Sequence, residues 1–510
     1  MPVHASRSLP LVWFDVFDRA TPLEELHPAS REVATPSWQP SLTATEHERG
    51  VAAIRRYIAA GDTYQVNFAH PWTTRLETDP WDLFVAMCRG QRARCCAFVD
   101  TGRRVLCSAS PELFFRLEGE RIWSRPMKGT APRGRTLAED TKLASELQAS
   151  AKDRAENLMI VDMLRNDLGR VAEPDSVTVT DLWRLERYPS LWQMTSTVEA
   201  RTRRPLEEIF AALFPCASVT GAPKIRAMQI IRELEDEPRG VYTGAIGIIG
   251  PGHRARFNVA IRTAEVDPAT GRATYGTGSG VVWDSTPGDE WRECATKALV
   301  LRPAPPRFEL LETMLWEPAG GLALEDRHLQ RLEDSSSYFG IPFERELVAA
   351  SLEQATGTLS PRPHRIRLLI DERGRIRTET RPLERQTRPW RLAIATEPVA
   401  SDDPFLFHKT THRQVYDYHR ARFPDHDDVL LWNERGEVTE STLANVVYRR
   451  GDRWLTPPVN CGLLAGTLRA ELLERGWLAE EPIELSDLAR TDEIRPVSYT
   501  HLTLPTTIKP

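Results

Sequence analysis

Two carboxylate pairs at helical spacing, two unusually placed lysines and one run of alternating glycines are where this sequence could do chemistry. Asp153 and Glu156 stand three residues apart in DRAEN, and Glu290 and Glu293 three apart in DEWRE. On helices each pair shares one face. Taken singly, each is an ordinary solvated face. If the four converge, their repulsion demands a cation, and an all-oxygen donor set suits Mg²⁺. Only seven of the 66 basic residues are lysine. A codon bias toward arginine is the plain explanation. It leaves lysine enriched where a primary amine must attack carbon, because guanidinium stays protonated. Lys128, in Pro126-Met-Lys-Gly-Thr130, and Lys409, in Phe407-His-Lys-Thr-Thr-His-Arg413, are the two that stand out, against the usual reading of a surface lysine. Tyr275-Gly-Thr-Gly-Ser-Gly280 could bring backbone N–H groups up to an anion, or be a plain turn. Ser218-Val-Thr-Gly-Ala-Pro-Lys224 places Thr220 and Lys224 ahead of the helical run IRAMQIIRELE, as an anion site or as a simple cap. Gly462-Leu-Leu-Ala-Gly-Thr-Leu-Arg469 sets Gly466 and Thr467 at a helix start that suits a phosphate, and an earlier helical run carries His328 and Arg331.

The elements that must position these groups are mixed. CCAFVD, VLCSASPELFF and YTGAIGIIG read as strands, and EHERGVAAIRRYIAAGD and DRAENLMIVDMLRNDLGRV as helices. In the second helix Leu158, Val161, Leu164, Leu168 and Val171 predict one apolar stripe. After residue 307 comes FELLETMLW, then a helix around DRHLQRLEDSSSYFG, then RIRLLID. There is no regular βαβ rhythm, which favours an α+β class for both parts. Arg302-Pro-Ala-Pro-Pro-Arg307 is the clearest linker, dividing the chain into a 45–301 domain and a 308–494 domain.

Composition narrows the class. Of 510 residues, 41% are hydrophobic and 27% charged, and the net charge is −6. This fits a globular protein with a sizeable core and supplies no positive field to gather nucleic acid or an anionic membrane. No run of 18 apolar residues predicts a membrane span. Seven scattered cysteines without a C-x-x-C pair fit free thiols in a reducing cytoplasm.

Seven motifs in order carry a resemblance. Ser110-Pro-Glu112, Pro126–Thr130, Asp153-Arg-Ala-Glu-Asn157, Thr220–Lys224, Phe257-Asn-Val-Ala-Ile-Arg262, Gly276–Gly280 and Glu290–Glu293 resemble the chorismate-utilising enzymes: the anthranilate, isochorismate, salicylate and aminodeoxychorismate synthases. The resemblance implies an anthranilate synthase component I-like α/β sandwich. It also implies Mg²⁺ ligated by Glu156 and Glu293, with Asp153 and Glu290 holding its waters. Thr220, Lys224, Arg262 and the amides of Gly278, Ser279 and Gly280 would bind the substrate, and Glu112 would protonate a departing hydroxyl. Anthranilate synthases carry alanine where this chain has Lys128. Aminodeoxychorismate synthases carry lysine, which attacks the ring before ammonia enters. Lys409, Glu437-Val-Thr-Glu-Ser-Thr-Leu-Ala-Asn445 and Gly462–Arg469 resemble the fold-type IV pyridoxal-phosphate proteins, the D-amino-acid aminotransferases and aminodeoxychorismate lyases among them. There Lys409 would bond pyridoxal 5'-phosphate, Glu440 pair with its ring nitrogen, and Arg331, Gly466 and Thr467 hold its phosphate. The joined resemblances imply amination of chorismate to 4-amino-4-deoxychorismate, followed by release of pyruvate to give 4-aminobenzoate for folate synthesis. The alternatives are an anthranilate synthase-like enzyme joined to an aminotransferase, or a non-catalytic subunit that docks a glutaminase.

Two departures and one partner complete the expectation. Residues 1–44 are expected to be the remnant of a longer N-terminal β region. From Pro496 the chain reads PVSYTHLTLPTTIKP, a composition foreign to the rest, so residues 495–510 are expected to be a non-native tail. No G-x-C-x-G glutaminase pattern surrounds any cysteine, which implies a separate glutamine amidotransferase subunit as the source of ammonia.

Overall fold

The computed structural model describes residues 11–21, 36–302, 307–383 and 390–497. The chain folds as two units: Met1–Arg133 with Leu143–Pro305, and Gly134–Lys142 with Pro306–Pro510. The second unit thus takes in a short stretch from the middle of the first, which the expected single boundary did not include. Residues 303–306 of the linker lie outside the described residues.

In the first unit two seven-stranded sheets form, every pairing antiparallel. One has Gln65–Arg75 and Arg272–Val281 side by side, with Gly280 opposite Asn67. The other carries Leu113–Glu118, Met127–Pro132 and Leu191–Arg201. The expected single run VLCSASPELFF splits: Val105–Ser110 joins the first sheet and Leu113–Glu118 the second. Pro111 and Glu112 make the crossing, because a proline cannot donate to a central ladder. The alternating glycines are neither loop nor turn. They lie within the strand Arg272–Val281.

Helices pack on each sheet by their apolar faces. The helix Ala151–Gly169 starts at Ser150, whose hydroxyl accepts the N–H of Asp153. Val161, Leu164 and Leu168 are buried in one core with Phe114, Phe115 and Val198, and Val171 is buried just beyond. Leu158, expected on that stripe, is 41% exposed. Asn157 takes the inward place instead. The stripe was drawn through apolar residues only, and the inward position one residue earlier is polar. The helix Pro287–Lys297 is capped by Thr286 with proline in its first turn.

The second unit pairs Leu310–Glu317 with His364–Ile370 in a four-stranded antiparallel sheet, with Gly321–Leu322 and Ile376–Pro382 at its edges. The helices Glu325–Phe339 and Arg345–Thr356 cover it through Leu329, Leu332, Val348 and Leu352. A three-stranded sheet holding Val438–Ser441 and a second four-stranded sheet holding Asn445–Arg450 follow. Residues 495–497, placed by the sequence reading in the tail, complete the strand Glu493–Val497 against Asn445–Val447. The remainder of that tail lies outside the described residues. Among the described residues no helix is long and apolar enough to cross a membrane. All seven cysteines are free.

Candidate active sites

In the first unit one cavity of about 400 Å³ is walled by both sheets and by the Ala151–Gly169 and Pro287–Lys297 helices. Asp153, Glu156, Glu290 and Glu293 all line it, so the two carboxylate pairs do converge. Lys128 reaches into the same space, its Nζ 3.3 Å from Glu156 Oε2. The alternating glycines make the room. A methyl on Gly280 would run into Lys128 Nζ and the Gln65 amide, and one on Gly276 into the Tyr242 ring.

Charge is shared unevenly around the ring. Burial, reinforced by the neighbouring Glu293, raises the Glu290 carboxyl, and one of its buried oxygens has no partner. Burial opposes ionisation of Glu293 as well, but Lys297 and Lys128 outweigh it and hold that carboxyl low. Four carboxylates around a cavity, one oxygen orphaned, form an all-oxygen set that fits a hard divalent cation. Glu112 is different. It is fully buried, accepts from Ser218 Oγ at 2.6 Å, and is pushed up to about 7 by burial. It therefore carries a transferable proton near neutral pH.

Arg262 lines the cavity in a left-handed backbone conformation, φ 51°, and donates to the Lys297 carbonyl at 2.7 Å. Gly278 and Gly280 line it too, whereas the Ser279 side chain is fully buried and Ser279 is absent from the wall. Thr220 and Lys224 do not reach it. Thr220 Oγ1 donates to the Cys216 and Ala217 carbonyls. Lys224 is ion-paired to Asp167 and donates to the Leu213 carbonyl at 3.3 Å. A partly buried ammonium settles on the nearest carboxylate, and Asp167 lies at the far end of the helix from Asp153. From that motif it is Ser218 and Val219 that reach the cavity.

Three cavity features escaped the sequence reading. Lys297 lines the wall, with its Nζ 2.6 Å from Glu293 Oε1 and 2.7 Å from the Gly278 carbonyl. The scarcity of lysine was the signal for it. Lys152 also lines the wall. Asn157 donates to the Lys128 carbonyl at 3.2 Å and accepts from Ser196 Oγ at 2.5 Å, so it fixes the strand that presents Lys128.

The second unit gathers the other set. The Lys409 backbone is tied to Leu311 at 2.9 Å. Among the described residues no hydrogen bond or ion pair holds its amine. Burial, with Arg331 adding to it, brings that amine down to about 8. Glu440 is fully buried and pushed up to about 7 by burial, within reach of the Lys409 charge. It accepts from Tyr416 O–H at 2.8 Å, from the Leu464 N–H at 3.2 Å and from Asn445 Nδ2 at 3.0 Å. Gly466 caps the helix Thr467–Glu474, and Arg331 donates to the Ala465 carbonyl at 3.0 Å beside it. Glu312 orders this end. It accepts from Arg331 at 2.8 and 2.6 Å and pairs with His328 at 2.7 Å, and His328 in turn meets Thr467 Oγ1 at 3.2 Å. Glu312 and Tyr416 had no motif to announce them. An unpartnered buried amine, a buried acid and a helix N-terminus beside an arginine fit a pyridoxal phosphate: aldehyde, ring nitrogen and phosphate in turn.

Comparison with known proteins places both units. Residues 8–303, more than half of the chain, match the chorismate binding enzymes, and the chain belongs to that family. Residues 309–505 match the amino-transferase class IV family. Among curated relatives, aminodeoxychorismate synthase of Streptomyces griseus is 44% identical over 266 residues, 52% of this chain and 36% of that protein. Anthranilate synthase component 1 of Streptomyces coelicolor is 39% identical over 291 residues, 56% of each. The chain therefore spans from about a third to just over half of these relatives. A solved structure of a putative amino-acid aminotransferase from Mesorhizobium loti is 34% identical, covers 40% of this chain and 100% of that one, and has a TM-score of 0.38.

Proposed function

We propose that the first unit aminates chorismate to 4-amino-4-deoxychorismate and that the second releases pyruvate from that product to leave 4-aminobenzoate. The observation that carries this reading is the Lys128 amine inside the carboxylate-ringed cavity, in space kept open by Gly280. The relatives include both aminodeoxychorismate and anthranilate synthases, so overall similarity does not choose between them. A lysine at this position does, since it supplies a nucleophile where the anthranilate pattern has alanine.

Glu156 and Glu293 would hold Mg²⁺, with Asp153 and Glu290 on its waters. Bound there, the ion neutralises a substrate carboxylate and polarises the ring. Arg262 and the Gly278–Gly280 strand orient the ring acid. Lys128 Nζ attacks ring carbon 2, the ring double bonds shift, and the carbon 4 hydroxyl leaves as water with the proton of Glu112. Ammonia then bonds to carbon 4 and the Lys128 amine departs. A glutamine amidotransferase subunit would supply that ammonia.

In the second unit the cofactor would act as an electron sink. Lys409, with its amine near pH 8, takes the proton from carbon 4 of the substrate. The bond from carbon 3 to the enolpyruvyl oxygen breaks, and the ring becomes aromatic. Glu440 would keep the cofactor's ring nitrogen protonated, and Arg331 with Gly466 and Thr467 would hold its phosphate. The test is incubation of the protein with chorismate, Mg²⁺ and ammonium, with and without pyridoxal phosphate, followed by chromatography. The proposal requires 4-amino-4-deoxychorismate to accumulate without the cofactor and 4-aminobenzoate to form only with it. Anthranilate as the main product would overturn it.

A further inference from the structure

Trp291 and Cys294 each follow one of the cavity glutamates, and so face about 100° round the Pro287–Lys297 helix from them. There Cys294 meets two histidines from other elements: His47 of the helix Ala44–Ala59 and His70 of the strand Gln65–Arg75. One ring nitrogen from each histidine and the Cys294 sulfur lie within 4.8 Å of one another. All three residues are buried, at 0%, 3% and 0% exposure for His47, His70 and Cys294.

All four ring nitrogens of His47 and His70 lack a hydrogen-bond partner. A neutral imidazole has one donor and one acceptor, and protein interiors seldom leave either unused. Burial keeps both rings neutral, His70 down to about 4, so each offers a lone pair. The surroundings are otherwise aromatic. His70 stacks on Trp291 at 5.4 Å and 8°, while His47 contacts Trp291 at 5.3 Å and Phe68 at 5.4 Å. Two imidazoles and a thiol without a carboxylate make a soft donor set, quite unlike the oxygen ring on the other face of the helix.

We infer that His47, His70 and Cys294 form a buried binding site for Zn²⁺, separate from the chorismate cavity. Ligand atoms around zinc, at about 2.0–2.1 Å for nitrogen and 2.3 Å for sulfur, lie roughly 3.5 Å apart. Small side-chain rotations from the present spacing close the site. The thiol proton leaves to solvent on binding, and water takes the fourth position. His70 also lines a second cavity of about 170 Å³. Bound zinc would pin the first helix and the Gln65–Arg75 strand to the helix that carries Glu290 and Glu293. The inference rests on none of the chorismate assignments.

The test uses the whole chain stripped with a chelator and then given Zn²⁺ alone, with bound metal counted by mass spectrometry. The site predicts one zinc per chain that excess Mg²⁺ does not displace. Co²⁺ in its place should show a thiolate-to-cobalt charge-transfer band, which Cys294→Ala abolishes and His70→Gln weakens. Should Cys294→Ala fail to fold, Cys294→Ser, which keeps the volume but has no thiolate, must likewise lose the band. No retained zinc, cobalt bound without a thiolate band, or a band that survives Cys294→Ala would each overturn the inference.

Discussion

Glu112 is the residue whose environment most changes its chemistry. Its carboxyl sits near 7 because burial disfavours the charge more than Ser218 and its other hydrogen-bond partners restore it. The group is protonated below that value and loses its proton as pH rises through it. Used as an acid, it predicts amination that falls about tenfold per pH unit above 7. Glu112→Gln keeps the shape and the neutral charge but has no proton to give. It should slow amination by about 10²–10⁴-fold and erase that limb, as a pH–rate profile would show. In the second site, Lys409→Ala should abolish the visible absorption that pyridoxal phosphate gives when bonded to the parent chain, which a spectrum of the dialysed protein would register. Much at this scale was legible in the sequence. The four carboxylates, Lys128, Arg262 and Glu112 do share one cavity. Lys224 does not, because Asp167, ten residues beyond the Asp153–Asn157 motif and part of no motif itself, takes its charge. Asn157 and Glu312 were invisible as positioning groups, since their work is to hold Lys128 and Arg331, and no spacing rule marks a residue that acts through another.

Elements set how close these groups may come. The strand Arg272–Val281 uses glycine where Lys128 must lie against it, so Gly280→Ala should drive the amine out of position. The expected outcome is a large loss of amination, with the fold retained by circular dichroism. The carboxylate ring divides by element as well. Glu156 and Glu293 come from different helices and both contact lysine, while Asp153 is tied to its own cap at Ser150. Glu156→Gln and Glu293→Gln should therefore raise the Mg²⁺ needed for half-maximal rate far more than Asp153→Asn, by about 10–100-fold for a lost ligand. Equal titrations would show that the ligands are assigned to the wrong carboxylates. The helices named from the sequence were readable from apolar period to within three residues, while Pro80–Gln91, Leu137–Ala149 and Arg345–Thr356 were not read. The glycine run was not read as strand, because glycine has low strand propensity and only tertiary crowding explains its use there.

At the scale of the whole molecule, each unit holds one set of reactive groups around an amine. The prolines after residue 302 suggest a single division, but nothing in the sequence suggests that Gly134–Lys142 belongs with the second unit. That stretch has no compositional mark, and its membership depends on packing between residues far apart in sequence. The central claim is that Lys128 is the nucleophile that commits the first unit to 4-amino-4-deoxychorismate. The most direct measurement compares the chain with its Lys128→Ala variant in chorismate, Mg²⁺ and ammonium, by chromatographic separation of products. Loss of the nucleophile predicts a fall in 4-amino-4-deoxychorismate on the order of 10³-fold or more, with chorismate still bound. Any residual product should shift toward anthranilate. A variant that forms 4-amino-4-deoxychorismate at the parental rate would contradict the account.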